Sequence, residues 1–427
     1  DRLEEAGEGL AARDGPLEAV RRWAEAMEPG FDGPDPQRAI AETEGRLVDV
    51  RVALRHAEAT GDAGAIWAIV GGLANYWWYR GHLREALDWL ARAEALDPEL
   101  PAAAQLAGRS AAALLSTAVG EHDAIVEATE AAIATARAAG DPRLEGRALI
   151  LLGAHQTWHD DAGRPIIARG RALCARAGDH LWAAWADCSG ALASVLGGRP
   201  LDAMQQLDDV RAVVERSGSR RLHLDVLARQ ACAELQLGAW YDARVTAAAG
   251  LELARDFATI NVVACFHGVT AWIDALTGEA DQAEAAMRQA IGRYRRDEEL
   301  QFIPFFVTAL GHALLAQDRA DEAIAAAGLV RDHPDLDWAS IYRSWLDDVL
   351  ALAHLASGAD GDARRFASRM AAQAKGIGND LERARAETTL AVLDRRAGEH
   401  RRAEGRAHDA LVTLAGLGLR TRTRSER

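Results

Sequence analysis

Ala231-Cys-Ala-Glu-Leu-Gln-Leu-Gly238-Ala-Trp-Tyr-Asp-Ala243 is a phrase that the chain repeats. A small residue stands first, a turn residue follows seven positions later, and an alanine follows five after that. The phrase returns every 40 residues through the second half of the chain. Its small residues are Ala191, Ala231, Ala271, Gly311, Ala351 and Ala391. Its turn residues are Gly198, Gly238, Gly278, Asp318, Gly358 and Gly398. Its alanines are Ala203, Ala243, Ala283, Ala323, Ala363 and Ala403. Gly or Asp at the turn tolerates the left-handed backbone that ends one helix and starts the next. Small residues on either side let the two helices of a pair approach closely. Units that cannot bury an apolar face alone must stack, so the phrase predicts a helical-repeat array.

Looser copies lie upstream. Gly81 has Ala74 before it and Ala86 after it at the same offsets, while Gly120 has Ala113 before it but Ile125 after it. Gly163 has Ala168 after it; with Gly153 as its small partner, a short insertion falls at Trp158-His159-Asp160. The count comes to nine helix pairs. The predicted organisation is a helical linker over 1–60, the array over 61–417 and a flexible basic tail over 418–427. Within the linker, helices are predicted over Asp1–Ala26 and Pro36–Ala59, split by a turn-rich loop from Glu28 to Pro36. No proline occurs between Leu201 and Ile303 or after Pro334, which leaves room for long helices and little for strands.

The formal net charge is −15, which argues against nucleic-acid binding by this chain. Cys174, Cys188, Cys232 and Cys265 are scattered inside helical patterns with no CxxC and no paired spacing. They read as reduced thiols of a cytoplasmic protein. No signal peptide is visible and no apolar run reaches the length of a membrane span.

The small–turn–alanine spacing resembles the tetratricopeptide repeat, with a period of 40 in place of that family's 34. The resemblance implies an all-α, right-handed superhelical solenoid. A second resemblance rests on an ordered series of segments. These are Glu28-Pro29-Gly30, Gly33-Pro34-Asp35, Val50-Arg51-Val52-Ala53-Leu54-Arg55, Gly61-Asp62, Tyr76-Trp77-Trp78-Tyr79-Arg80-Gly81-His82-Leu83-Arg84-Glu85 and Trp89-Leu90-Ala91-Arg92-Ala93. In that order they resemble the large actinobacterial transcriptional regulators of the signal-transduction ATPase class, similar to the maltose-operon regulator and the LuxR-type activators. There an NB-ARC-like nucleotide switch precedes a helical linker and a repeat array. No GxxxxGK[ST] phosphate loop and no helix-turn-helix reader stand in this sequence, so the family's ATPase and DNA-binding modules are not in it. The abrupt start in a helical pattern favours an excised sensor arm. The resemblance implies signal reception: an inducer, a peptide or a protein binds the array and alters an adjoining ATPase module.

In tetratricopeptide-like packing the first helix of each pair faces inward, and positions thirteen, ten, nine and six before the turn residue point to the concavity. The thirteen-before column reads Trp185, Asp225, Cys265, Phe305, Trp345 and Arg385. The nine-before column includes Arg229, and the six-before column includes Asn75, Trp272 and His312. The candidate groove residues are therefore Trp185, Asp225, Arg229, Trp272, Phe305, His312, Trp345 and Arg385. Aromatics at helical spacing equally suit a core, and the charged positions equally suit a solvated face.

His155-Gln-Thr-Trp-His159-Asp160-Asp161 could hold a divalent metal, but no third histidine supports it and turn residues are the better reading. Phe302-Ile-Pro-Phe305-Phe306 reads as a helix start with core burial. No cofactor motif and no nucleophile–base signature is present, so the sequence points to a binding protein and not an enzyme. A passive interaction scaffold and, more remotely, an α/α-toroid enzyme are the alternatives; a homo-oligomer stays open.

Overall fold

A computed structural model describes residues 11–119, 122–158, 162–255, 260–296, 302–331 and 340–419. Among the described residues there are 21 helices and no strands. Helices α1 (Ala11–Phe31) and α2 (Pro36–Thr60) form a first hairpin. Nine pairs follow. The first has a divided leading helix, α3 (Ala63–Gly72) and α4 (Ala74–Arg80), with α5 (Leu83–Leu96). Next come α6 (Ala102–Val119) with α7 (His122–Ala139), and α8 (Pro142–Gln156) with α9 (Gly163–Arg176). The middle pairs are α10 (His180–Leu196) with α11 (Pro200–Ser217), α12 (Arg220–Gln236) with α13 (Trp240–Ala254), and α14 (Ile260–Thr277) with α15 (Ala280–Arg296). The last three are α16 (Ile303–Ala316) with α17 (Ala320–Arg331), α18 (Ser340–Ala356) with α19 (Asp360–Gly376), and α20 (Asp380–Arg396) with α21 (His400–Gly416).

Local chemistry sets the helix ends. Asp62, Asp141, Asp179, Ser219 and Asn379 each accept a backbone N–H three residues on, the usual way to satisfy a first-turn donor. Proline stands in the first turn of α2, α8, α11 and α16. Five of the six turn residues of the repeated phrase are glycines with positive φ, and the sixth, Asp318, has φ 58°. A second left-handed glycine series, Gly178, Gly218, Gly378 and Gly418, lies 20 residues out of phase and closes one pair against the next. Gly61 and Gly140 do the same further upstream.

Two expectations are corrected. Helix α1 continues through Glu28-Pro29-Gly30 to Phe31, so the loop into α2 starts only at Asp32. Gly163 is not a left-handed turn residue but the first residue of α9. A Cβ on Gly153 would come within 2.8 Å of the Gly163 carbonyl, and one on Gly146 within 2.8 Å of the Gly170 carbonyl. These glycines let α8 and α9 touch backbone to backbone. Gly120, residues 159–161 and the tail from 420 lie outside the described residues.

The family-like segments meet in space. Val50 is buried, and beside it Arg51 makes two 2.7 Å hydrogen bonds to Glu85, tying α2 to α5. Tyr76, Trp77 and Tyr79 are buried, and the Tyr79 hydroxyl donates to the Phe31 carbonyl at 3.3 Å. Each such buried aromatic contributes on the order of 2–3 kcal/mol.

The stack curls until distant pairs touch. The Asn379 side-chain amide donates to the Leu196 carbonyl at 2.8 Å, across 183 residues of sequence. Gly418 packs on Leu201 and Gly218 on Pro34. Arg221 donates to Asn75 Oδ1 at 2.6 Å, stacks over Trp78 at 4.6 Å and lies 3.7 Å from Asp32. Arg147 joins Glu28 to Asp179, each at 2.7 Å. The concave side is therefore narrowed to a cavity that stays partly open to solvent, where a long open groove was expected.

Candidate functional site

The cavity has a volume of about 360 Å³, within the range of small-molecule sites. Its wall draws on nearly every inner helix, from Trp78 on α4 to Arg385 on α20, with Leu419 just past α21. Seven of the eight residues singled out from sequence line it: Trp185, Asp225, Arg229, Trp272, Phe305, Trp345 and Arg385. The eighth, His312, stacks on Trp272 at 5.0 Å.

The repeat register explains why they meet. Residues 40 apart occupy equivalent places on consecutive pairs and stack as ladders. Trp185 Nε1 donates to Asp225 Oδ2 at 3.0 Å, Trp272 lies on His312, and Phe305 lies 5.6 Å from Trp345. Residues 33 apart join the six-before position of one pair to the thirteen-before position of the next. Trp272 meets Phe305 at 6.0 Å this way. Tyr342, 5.6 Å from Trp345, and Trp158, 5.3 Å from Tyr342, extend the aromatic wall. Gly268 makes the room: a Cβ there would collide with the Phe305 ring. Phe306, in contrast, is a core residue with no exposure.

Charge enters at two places. Asp225 and Arg229 pair on one face of α12 at 3.2 Å; burial works against the Arg229 charge, and the Asp225 carboxylate with the neighbouring thiols outweighs it and keeps the guanidinium protonated. On α20, Glu382 Oε1 accepts from Arg385 at 3.0 Å. Burial pushes the Glu382 carboxyl up to about 7; Arg385 opposes the shift and Asp348 adds to it. Burial, with Arg385 nearby, brings His312 down to about 4, so it is neutral at ordinary pH. Several buried polar atoms of this wall have no hydrogen-bond partner: Arg229 Nε, Gln236 Oε1 and Glu382 Oε2.

Sequence reasoning missed three participants. Cys232 and Cys265 were read as unpaired, yet their sulfurs lie 3.3 Å apart in the cavity wall. The 33-residue relation would have found them, since it joins a six-before to a thirteen-before position. Donation from Cys232 lowers the Cys265 thiol, while the same hydrogen bond raises Cys232 well above its ordinary value. Cys174 and Cys188, pushed up to about 12 by burial, fit the inert reading. Glu382 was missed because it sits sixteen residues before its turn, outside the columns considered. As for the metal reading, His155 Nε2 lies 2.8 Å from His122 Nδ1, and no cluster of three metal-binding side chains occurs among the described residues.

No protein-family model matches the chain. Proteins named as HTH-type transcriptional regulators in Mycobacterium tuberculosis and Mycobacterium bovis are 31% identical to it over 159 residues, 35% of this chain and 18% of theirs. The match thus spans less than a fifth of those relatives' length. The crystal structure of a Rap protein complexed with competence and sporulation factor aligns with a TM-score of 0.60 at 11% identity, covering 83% of this chain and 98% of that one. The fold is a tetratricopeptide-type helical solenoid. A signal-transduction ATPase with a tetratricopeptide repeat sensor, from Pyrococcus horikoshii, aligns over 78% of this chain and 53% of its own, with a TM-score of 0.43 and 14% identity. No helix among the described residues is long and apolar enough to cross a membrane.

Proposed function

We propose that this chain is the signal-receiving arm of a transcriptional regulator, a cytoplasmic binding module without catalytic activity. A small inducer or a short peptide segment occupies the cavity. The observation that carries this reading is the cavity itself, with aromatic ladders and incompletely satisfied charged groups from consecutive pairs converging on one space. The likeness to HTH-type regulators supports the regulatory setting, and the solved Rap structure is a complex with competence and sporulation factor.

The mechanism follows from the closure contacts. Arg221 reaches the cavity while holding Asn75 and standing beside Asp32, so it couples the interior to the α1–α2 hairpin. An occupant that contacts the wall shifts the balance between a tighter and a looser superhelix by its differential affinity for the two. The hairpin would present that change to an adjoining ATPase and DNA-binding module. A passive scaffold would instead use the outer surface and leave the cavity idle.

Hydrogen exchange tests this. With the small-molecule fraction of the native cells added, amides of α12, α16, α18 and α20 should gain protection, and α1–α2 should change with them. Trp345→Ala and Arg229→Ala should abolish the effect while remaining folded. Protection confined to outer helices would refute the cavity as the receiving site.

A further inference from the structure

Deepening the ligand-binding reading above, on which this rests, we propose that the cavity takes a small amphipathic carboxylate. Its apolar body lies among Trp272, Phe305 and Trp345, and its carboxylate is held by Arg229 and Arg385. The charges of the wall point to an anion. Three guanidiniums line it, Arg221, Arg229 and Arg385, against two carboxylates, Asp225 and Glu382. Arg221 is turned toward Asn75 and Asp32, though its Nε too has no acceptor. Asp225 uses one oxygen for Trp185 and turns the other to Arg229. Arg229 thus has one carboxylate contact, at 3.2 Å, for a group with five N–H donors, and its buried Nε has no acceptor.

Glu382 makes the same case from the other end. It is 1% exposed, and its Oε2 has no hydrogen-bond partner. Near neutral pH it is partly protonated, which leaves Arg385 with Asp348 as its remaining carboxylate neighbour and makes the Glu382 carboxyl a donor. The charged groups around it are Arg385 on its own helix and Asp348 on α18; His312 on α16, 3.8 Å from Asp348, is neutral. A neutral apolar occupant would leave Arg229 Nε and Glu382 Oε2 buried without partners, and a cation would bring no acceptor for the Arg229 donors. A carboxylate bonded to Arg229 and Arg385 satisfies the surplus donors with charge-assisted bonds.

Three probes with one tail and different heads decide the matter: 4-phenylbutyrate, 4-phenylbutanol and 4-phenylbutylamine. Binding to the full chain is measured by calorimetry and tryptophan fluorescence at acidic and alkaline pH. The expected order is butyrate at least about tenfold tighter than the alcohol, with the amine weakest. Butyrate binding should take up protons and weaken by up to about tenfold per pH unit once Glu382 is ionised. Glu382→Gln should remove that pH dependence and keep butyrate bound in alkali. Arg229→Gln should lose about tenfold for butyrate and little for the alcohol. Arg385→Gln does the same should the first variant fail to fold. Equal affinity for all three probes, lost together in Trp345→Ala, would overturn the carboxylate assignment and leave the ligand cavity standing. An amine preference would also overturn the assignment. Failure of every probe at millimolar concentration would remove the assignment and the small-ligand cavity together.

Discussion

Asp394 and Glu382 are buried carboxylates on the same helix, α20, and their surroundings treat them in opposite ways. Asp394 has no exposure and is bonded by three guanidiniums: Arg364 at 2.7 Å, Arg402 at 2.7 and 2.8 Å, and Arg406 at 3.0 Å. These bonds hold it well below the usual carboxylate range. Glu382 has one arginine and the neutral Ser344 hydroxyl to oppose its burial, and burial prevails and holds it well above that range. The first group closes the seam between α19, α20 and α21. The second faces the cavity. Saturated buried charge fastens helices here, and unsaturated buried charge lines the cavity to which we assign a ligand.

The largest effect should come from breaking the saturated group. Asp394→Asn leaves Arg364 and Arg402 without this anion, while Arg406 keeps Glu387, and should cost about 3 kcal/mol in urea unfolding near neutral pH, since the stranded arginines are half-exposed. Because the folded-state carboxyl is depressed, its contribution is present above the ordinary value of roughly 4 and shrinks as pH falls toward the folded value. The gap between variant and parent should therefore narrow in acid. A gap that stays constant with pH would mean the cluster is not acting through charge.

The second effect tests the seam that positions Glu382. Asn379 caps α20 by accepting the Glu382 N–H at 2.9 Å while its amide holds the Leu196 carbonyl. Gly198 packs against Asn379, whereas Gly398, at the same place in its own pair, has nothing near its missing Cβ. Both have positive φ, 67° and 81°. Gly398→Ala should cost about 1 kcal/mol, from backbone strain alone. Gly198→Ala should cost about 2–3 kcal/mol, since it also collides across the closure. Equal costs in thermal unfolding would argue against the closed superhelix.

Glu382→Gln should act with the opposite sign. A carboxyl raised in the folded state gives its full stability below the unfolded value and loses it as pH rises through about 7. The variant should therefore be more stable than the parent in alkali, by about 2–3 kcal/mol, and indistinguishable below about pH 4. The smallest effect is on reactivity. Cys265 should be alkylated well ahead of Cys174 and Cys188, without loss of fold, and occupancy of the cavity should slow it. Mass spectrometry of the labelled peptides gives the order.

Much of the fold was legible because a 40-residue period is a local signal repeated many times. Each turn glycine reports a backbone need, and each flanking alanine a close approach. The same arithmetic put seven candidate residues in the cavity wall, since a register error at one pair is corrected by the next. What could not be read was closure. Contacts such as Asn379 to Leu196 depend on the small rotation between pairs, summed over several of them, and no short window of sequence states that sum. Cys232 and Cys265 were hidden for a milder reason. Their spacing belongs to the packing between pairs, and only the packing within a pair had been used. Gly163 misled because glycine serves two ends, left-handed turns and helix contact, and its neighbours do not tell which.

Native mass spectrometry of the chain recovered from its own cells, beside its Trp345→Ala variant, tests the central claim most directly. Ligand capture in the cavity predicts an adduct of roughly a few hundred daltons on the parent that the folded variant loses. A bare parent chain, or an adduct that the variant keeps, would contradict it.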